Sequence, residues 1–342
     1  MKKVAPSVSR KADHIRINLE KNVQSGLSNG LEQYRFSHQA LPEINLADVV
    51  TQTSLFGRKL SAPILISSMT GGTKEAGAIN RALARAAQSA GVAMGLGSLR
   101  PAIEAPALVS SYRVRDAAPD ILLLSNLGAI QLNYGYSLDE CRQAVELVEA
   151  DALILHLNSL QEALQPEGDT EFAGLLQKIE SICRSLSVPV VVKEVGWGIG
   201  GETARRLAMA GVAAIDVAGA GGTSWSQVEK YRARNRSQAR VAALFADWGL
   251  STAEALVECR RAVPDLPLIA SGGIRNGLEI AKCIALGASL AGVAGPLLPA
   301  AMRGPRAVEA ELDRWIHELR VTMFAAGARA LSELRELPFQ KS

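Results

Sequence analysis

PLIASGGIRNG, residues 267–277, is a short apolar run that halts at two glycines and passes straight into an arginine and an amide-led helix start. Glycines at such a junction let backbone N–H groups approach an anion, and the following helix adds the positive end of its dipole. The same grammar recurs along the chain. Runs rich in Val, Ile and Leu, bounded by Gly, Ser or Asn, are PILISSM (63–69), GVAMGLG (91–97), ILLLSNLG (121–128), ALILHLN (152–158), PVVVKEV (189–195), AIDVAG (214–219), PLIASGG (267–273) and LAGVAG (290–295). Between them lie stretches with apolar residues at helical spacing, among them Lys74–Ala90, Leu138–Glu149, Glu171–Leu186, Gly201–Ala210, Thr252–Ala262 and Gly277–Leu286. Right-handed crossovers between parallel strands leave an open doubly wound sheet or a closed barrel, and eight strands favour closure. The expected fold is α/β, a (β/α)8 TIM barrel forming one domain over residues 1–342. Residues 1–60 form an N-terminal extension that packs over the barrel.

Composition narrows the function. Of 342 residues, 48% are hydrophobic but only 4% aromatic, with 30 glycines, so the core is built from small aliphatic side chains in close backbone contact. The net charge of +3 is scattered, which argues against a nucleic-acid backbone as partner. Cysteines 141, 183, 259 and 283 form no CxxC pair or zinc spacing, as expected of buried thiols in a cytoplasmic protein. The twenty uncharged residues between Lys282 and Arg303 match a membrane span in length. Gly287, Gly292, Gly295, Pro296 and Pro299 instead divide them into a helix end, a buried strand and a new helix. No GxSxG elbow, HExxH pair or catalytic Cys/His signature is present, which leaves hydrolase chemistry little support and favours a bound cofactor.

Chemistry-bearing residues gather at the C-terminal ends of the runs, where barrel enzymes place their sites. Ser271, Gly272, Gly273, Ile274 and Arg275, with Ala294 and Gly295, read as a phosphate site, and Gly219, Gly221, Gly222 and Thr223 offer further donors. Lys193 lies inside an apolar strand, where an unpartnered ammonium would cost several kcal/mol, so it needs a ligand or an ion-pair partner. His156 and Asn158 alternate on one strand face, followed by Gln161 and by Glu162, whose oxygens suit Mg²⁺, although a lone Glu reads more readily as a barrel polar residue or a solvated loop carboxylate. Arg10, Lys11, Asp13 and His14 form either a solvated terminus or an anion clamp, and Arg100 reaches toward the same anion. His38 is open between a structural and a site role. Residues 219–266, the longest interval between strands, read as a mobile lid.

RKADHI (10–15), FSHQALPE (36–43), SSMTGGT (67–73), GLGSLR (95–100), SNLGA (125–129), HLNSLQE with PEGDTEF (156–172), KEVGWG (193–198), GAGGTSW (219–225), FADWG (245–249) and SGGIRNG together resemble type 2 isopentenyl diphosphate isomerases, over essentially the whole chain. Leu99 departs from the pattern, which more often has Gln there. The resemblance implies an FMN flavoprotein interconverting isopentenyl and dimethylallyl diphosphate, with the flavin reduced by NADPH and with Mg²⁺ required. A homotetramer or homo-octamer is also implied. Carried over, Ser67, Ser68, Met69, Thr70, Ser98, Asn126 and Lys193 meet the flavin ring or ribityl region. Thr223, Gly273, Ile274, Arg275, Ala294 and Gly295 surround the ribityl chain and phosphate. Arg10, Lys11, Ser98, Arg100, His156, Asn158 and Gln161 hold the substrate, with His156, Asn158 and Gln161 nearest the reaction, and Glu162 binds Mg²⁺. Two other readings share the phosphate loops: a redox FMN barrel such as an α-hydroxy acid oxidase, and a noncatalytic flavin or phosphate sensor.

Overall fold

The computed structural model describes residues 6–341, with side chains from residue 13 onward except at position 340. Each of the eight apolar runs contributes a strand. These are β1 (Ile64–Ile66), β2 (Ala93–Gly95), β3 (Leu123–Gly128), β4 (Ala152–His156), β5 (Val190–Lys193), β6 (Ala214–Asp216), β7 (Leu268–Ser271) and β8 (Leu290–Val293). They pair in sequence order, all parallel, and close through β8 and β1 into a barrel. The predicted TIM barrel is therefore the observed fold.

The helical stretches follow the periodicity closely. Lys74–Ala90 and Thr252–Ala262 are helices at the expected bounds, each started by a side-chain cap from Thr73 or Ser251. The helix expected over 171–186 begins only at Leu175, because Gly174, at φ 73°, marks the entry. The uncharged stretch resolves as the end of helix Gly277–Ala285, then β8, then helix Leu297–Arg303. Among the described residues no helix is long and apolar enough to cross a membrane. Gly277 lets two helices touch: a Cβ there would stand 2.3 Å from the carbonyl oxygen of Trp315, on helix Pro305–Ala326. Cys141, Cys259 and Cys283 are buried as small apolar side chains.

The residues ahead of β1 serve both ends of the barrel. At the strand N-termini, an antiparallel hairpin formed by Thr53–Leu55 and Arg58–Leu60 inserts Leu55 and Leu60 among Leu65, Ala93, Leu122 and Ala152. Arg58 ties it to Asp151, just before β4, at 2.6 Å. At the opposite end, helix Pro6–Glu20 packs on helix Trp225–Arg232, with Ile17, Val23 and Val228 buried between them. The interval expected to be a lid carries that second helix and another, Arg236–Ala243. It is bonded to the extension through Ser25 N–H to Gly222 O at 2.8 Å and Gly26 N–H to Ala246 O at 2.7 Å.

Candidate active site

Strand register decides which side chains share the open end. Gly128 pairs with His156, His156 with Lys193 and Lys193 with Asp216, so four successive strands place these residues in one row at their C-terminal ends. Above that row lies a cavity of about 430 Å³, within the range typical of small-molecule sites. Ser67, Ser68, Met69, Thr70, Ser98, Arg100, Asn126, His156, Asn158, Gln161, Glu162, Lys193, Thr223, Gly273, Ile274, Arg275, Ala294 and Gly295 all line it. The side chains of Arg10 and Lys11 lie outside the described residues. His38 is exposed and absent from the lining.

One side of the cavity is a cradle of backbone. The loops after β6 and β7 pack so tightly that a Cβ on Gly272 would sit 2.0 Å from Gly219 O, and one on Gly273 2.3 Å from Gly221 O. Gly272 and Gly273 also adopt φ of 114° and 72°, which only glycine takes without strain. The N–H groups of Gly273, Ile274 and Gly295 donate to no acceptor among the described residues. The Arg275 guanidinium donates to the carbonyls of Gly273 and Gly221 and to Gln24 Oε1 and forms no ion pair among the described residues, while its main-chain N–H donates to Glu279 Oε2 at 2.6 Å. Uncommitted N–H donors beside an uncompensated guanidinium fit a phosphate.

The middle of the cavity is a polar chain with buried charge beneath it. His156 Nδ1 lies 2.8 Å from Asn126 Oδ1, and the Asn126 amide donates to Ser68 Oγ at 3.0 Å. Lys193 donates to the main-chain carbonyl of Glu194 at 2.6 Å, and its charged partner is Asp216, 3.9 Å away. Asp216 also accepts from Ser271 Oγ at 2.6 Å and from Ala218 N–H at 3.3 Å. Burial raises the Asp216 carboxyl above its ordinary value, against the opposing pull of Lys193 and these donors. Ser67 Oγ is buried with no hydrogen-bond partner among the described residues, leaving a hydroxyl for a ligand.

The far side joins the fourth loop to the interval after β6. The Asn158 amide donates to Glu162 Oε1 at 2.8 Å, while Gln161 donates to Glu229 Oε1 at 3.1 Å. Glu229 is wholly buried, with His14 Nε2 3.3 Å and Arg232 2.6 Å from its carboxylate. Burial pushes its carboxyl up, but His14, Arg232 and Gln161 outweigh that and hold it below the ordinary value. Glu162 Oε2 accepts the Asp169 N–H at 2.8 Å. Each carboxylate oxygen of Glu162 keeps a further lone pair, so it suits a metal ion brought in by an anionic ligand. Arg100 bridges Glu104 at 2.7 Å and Asp169 at 3.0 Å. The Leu99 side chain is fully buried, with its N–H bonded to Asn126 O, so the cavity reads only its neighbours.

Several lining or supporting residues escaped the sequence reading. Asn18, Gln24, Gln131 and Trp225 line the cavity, and Asp169, Asp216 and Glu229 support it from behind. Asp216 alone carried a readable signal, a second charge inside an apolar run, by the argument that had singled out Lys193.

Comparison with known proteins agrees with this geometry. The FMN-dependent dehydrogenase family matches residues 18–106 and 142–340. An isopentenyl-diphosphate delta-isomerase of Nostoc sp. is 53% identical over 97% of this chain and 95% of its own. One from Rickettsia bellii is 51% identical over 96% of each. A solved mandelate oxidase variant superposes with a TM-score of 0.70 at 23% identity over 98% of both chains, a likeness of fold. A glycine-built anion cradle facing a carboxylate and amide cluster, on a chain about half identical to these isomerases, places the protein in the FMN-dependent, type 2 isopentenyl-diphosphate delta-isomerase family.

Proposed function

We propose that this protein interconverts isopentenyl and dimethylallyl diphosphate by a 1,3-allylic proton shift, using reduced FMN and Mg²⁺, with NADPH as the reductant. The observation that carries this is the division of one cavity into a phosphate cradle at Gly273, Ile274, Arg275 and Gly295 and a polar cluster at His156, Asn158, Gln161 and Glu162. Cytoplasmic location, supported by cysteines without pair or zinc spacing, and assembly as a homotetramer or homo-octamer, implied by the resemblance, belong to the same reading.

The residues divide the work by their chemistry. The cradle N–H groups and the Arg275 guanidinium would take the FMN phosphate. Lys193, held between Glu194 O and Asp216, would set a positive charge against the ring, with Ser67, Ser68, Met69, Thr70 and Asn126 beside it. Bound in its reduced form, FMN supplies an exchangeable proton and an electron-rich ring that tolerates developing positive charge. Arg10, Lys11, Ser98, Arg100, His156 and Asn158 would hold the substrate, and Glu162 would hold Mg²⁺ against its diphosphate. Gln161 is a neutral amide and no effective proton donor at neutral pH, so it would orient the alkene while Glu229 fixes its amide. Trp225 lines the same space, its indole in edge contact with the His14 ring at 4.9 Å.

Anaerobic incubation of the FMN-loaded protein with isopentenyl diphosphate, Mg²⁺ and NADPH tests the proposal. The expected product is dimethylallyl diphosphate with NADPH consumed only in catalytic amount. Stoichiometric NADPH oxidation would establish the redox reading instead, and absence of any conversion would leave only a binding role.

A further inference from the structure

PEGDTEF (166–172) joins the fourth strand unit to its helix, and one of its residues touches three parts of the site while lining none of the cavity. Asp169 Oδ2 accepts from Arg100, in the loop after β2, at 3.0 Å and from Gln131, in the loop after β3, at 3.0 Å. The Asp169 N–H bonds the carboxylate of Glu162, in the loop after β4, at 2.8 Å. Three βα loops therefore converge on one residue. The loop is fixed where it makes these contacts. Gly168 passes so close to Glu162 that a Cβ there would stand 1.7 Å from the Glu162 carbonyl oxygen. The Tyr134 hydroxyl accepts the N–H groups of both Thr170 and Glu171.

Arg100 shows what this achieves. An arginine side chain has five N–H donors. Here Nε is spent on Glu104 and one N–H of the NH1 group on Asp169, which holds the guanidinium from two sides and leaves three donors on a cavity-lining residue. A free arginine would have to lose rotamer freedom when it met an anion; this one is already ordered. We propose that Asp169 is a positioning residue that presents Arg100 and Gln131 to the substrate diphosphate, an inference that rests on the isomerase reading above. Its side chain acts on Arg100 and Gln131, whereas its hold on Glu162 is made by the backbone. A side-chain substitution should therefore separate diphosphate binding from the Mg²⁺ requirement.

The experiment compares wild type, Asp169→Asn, Asp169→Ala and Asp169→Glu, all loaded with FMN. Isopentenyl diphosphate binding is measured by calorimetry with the flavin oxidised and Mg²⁺ present, and turnover with the flavin reduced. Asp169→Ala should weaken binding and raise KM at least tenfold with kcat within about threefold, a size consistent with small displacements of a positioning group. Asp169→Asn should fall between, and Asp169→Glu should recover part of the loss. FMN affinity and the Mg²⁺ concentration for half-maximal rate should stay at wild-type values. Substrate affinity unchanged or improved in Asp169→Ala, or FMN affinity falling in parallel with it, would overturn the inference. A wild-type protein that converts no isopentenyl diphosphate would instead overturn the isomerase proposal itself, whatever the variants do to binding.

Discussion

Gln161 and Glu229, 68 positions apart, meet at 3.1 Å where the loop after β4 faces the helix that follows β6. The carboxylate is wholly buried and is shared with Arg232, also largely buried. Removing it in Glu229→Ala would leave a buried guanidinium without its counter-charge, a change that costs about 3 kcal/mol or more in comparable sites. Chemical denaturation should show a loss of that order at neutral pH. The sign of its pH dependence follows from a carboxyl held below its ordinary value of 4.5. Its contribution is complete above that value and disappears as pH falls through the lower folded-state value, so the stability gap between wild type and variant should close in acid.

Lys193 and Asp216 make the opposite case. In Lys193→Met, Asp216 keeps its donors from Ser271 and Ala218 but loses the ammonium 3.9 Å away. Burial already raises this carboxyl, and the substitution should raise it further. A carboxyl with a raised folded-state value holds its proton more tightly in the native protein than in the unfolded chain. Stability should then fall as pH climbs from the ordinary aspartate value through the folded one, with a slope of up to about 1.4 kcal/mol per pH unit. Urea titrations of the FMN-free protein between acid and neutral pH measure that slope.

Two glycines separate a fold requirement from a ligand requirement. Gly272→Ala forces a methyl against Gly219 O at 2.0 Å with φ at 114°, and should lower the unfolding midpoint sharply along with FMN affinity. A Cβ on Gly295 meets nothing within 4 Å, yet the residue lines the cavity. Gly295→Ala should leave stability within about 0.5 kcal/mol, as substitutions away from packed features do. FMN affinity, followed by flavin fluorescence, should nevertheless drop.

Glu162→Gln keeps an oxygen for the Asn158 amide but loses the charge that would attract a divalent ion. The Mg²⁺ concentration for half-maximal rate should rise roughly tenfold or more while FMN affinity holds. An unchanged Mg²⁺ dependence would remove Glu162 from the metal assignment.

The barrel was legible because each strand is a short apolar run bounded by Gly, Ser or Asn and followed by a helical pattern, a signal set locally. The cradle was legible for the same reason: SGG and GAGG carry their backbone requirement within a few residues. Partnership was less visible. Lys193 announced a need for a counter-charge, but only the β5–β6 register supplies Asp216, where the neighbouring Glu194 offers just its carbonyl. Glu229 lay in the interval that read as a mobile lid, because nothing local says that a helix near the N-terminus will fold over it. Arg100 read as an anion ligand; its i,i+4 partner Glu104 is local, but that Asp169 flanks it as well depends on where another loop lands.

Among the described residues, the hairpin wedged beneath the strands stoppers one end of this vessel, while the cavity lies at the other. Under the proposed chemistry, nicotinamide and the five-carbon guest must take turns at it, so an excess of either should slow the other's arrival. Priming and turnover would then alternate in time, both served from the side of the βα loops.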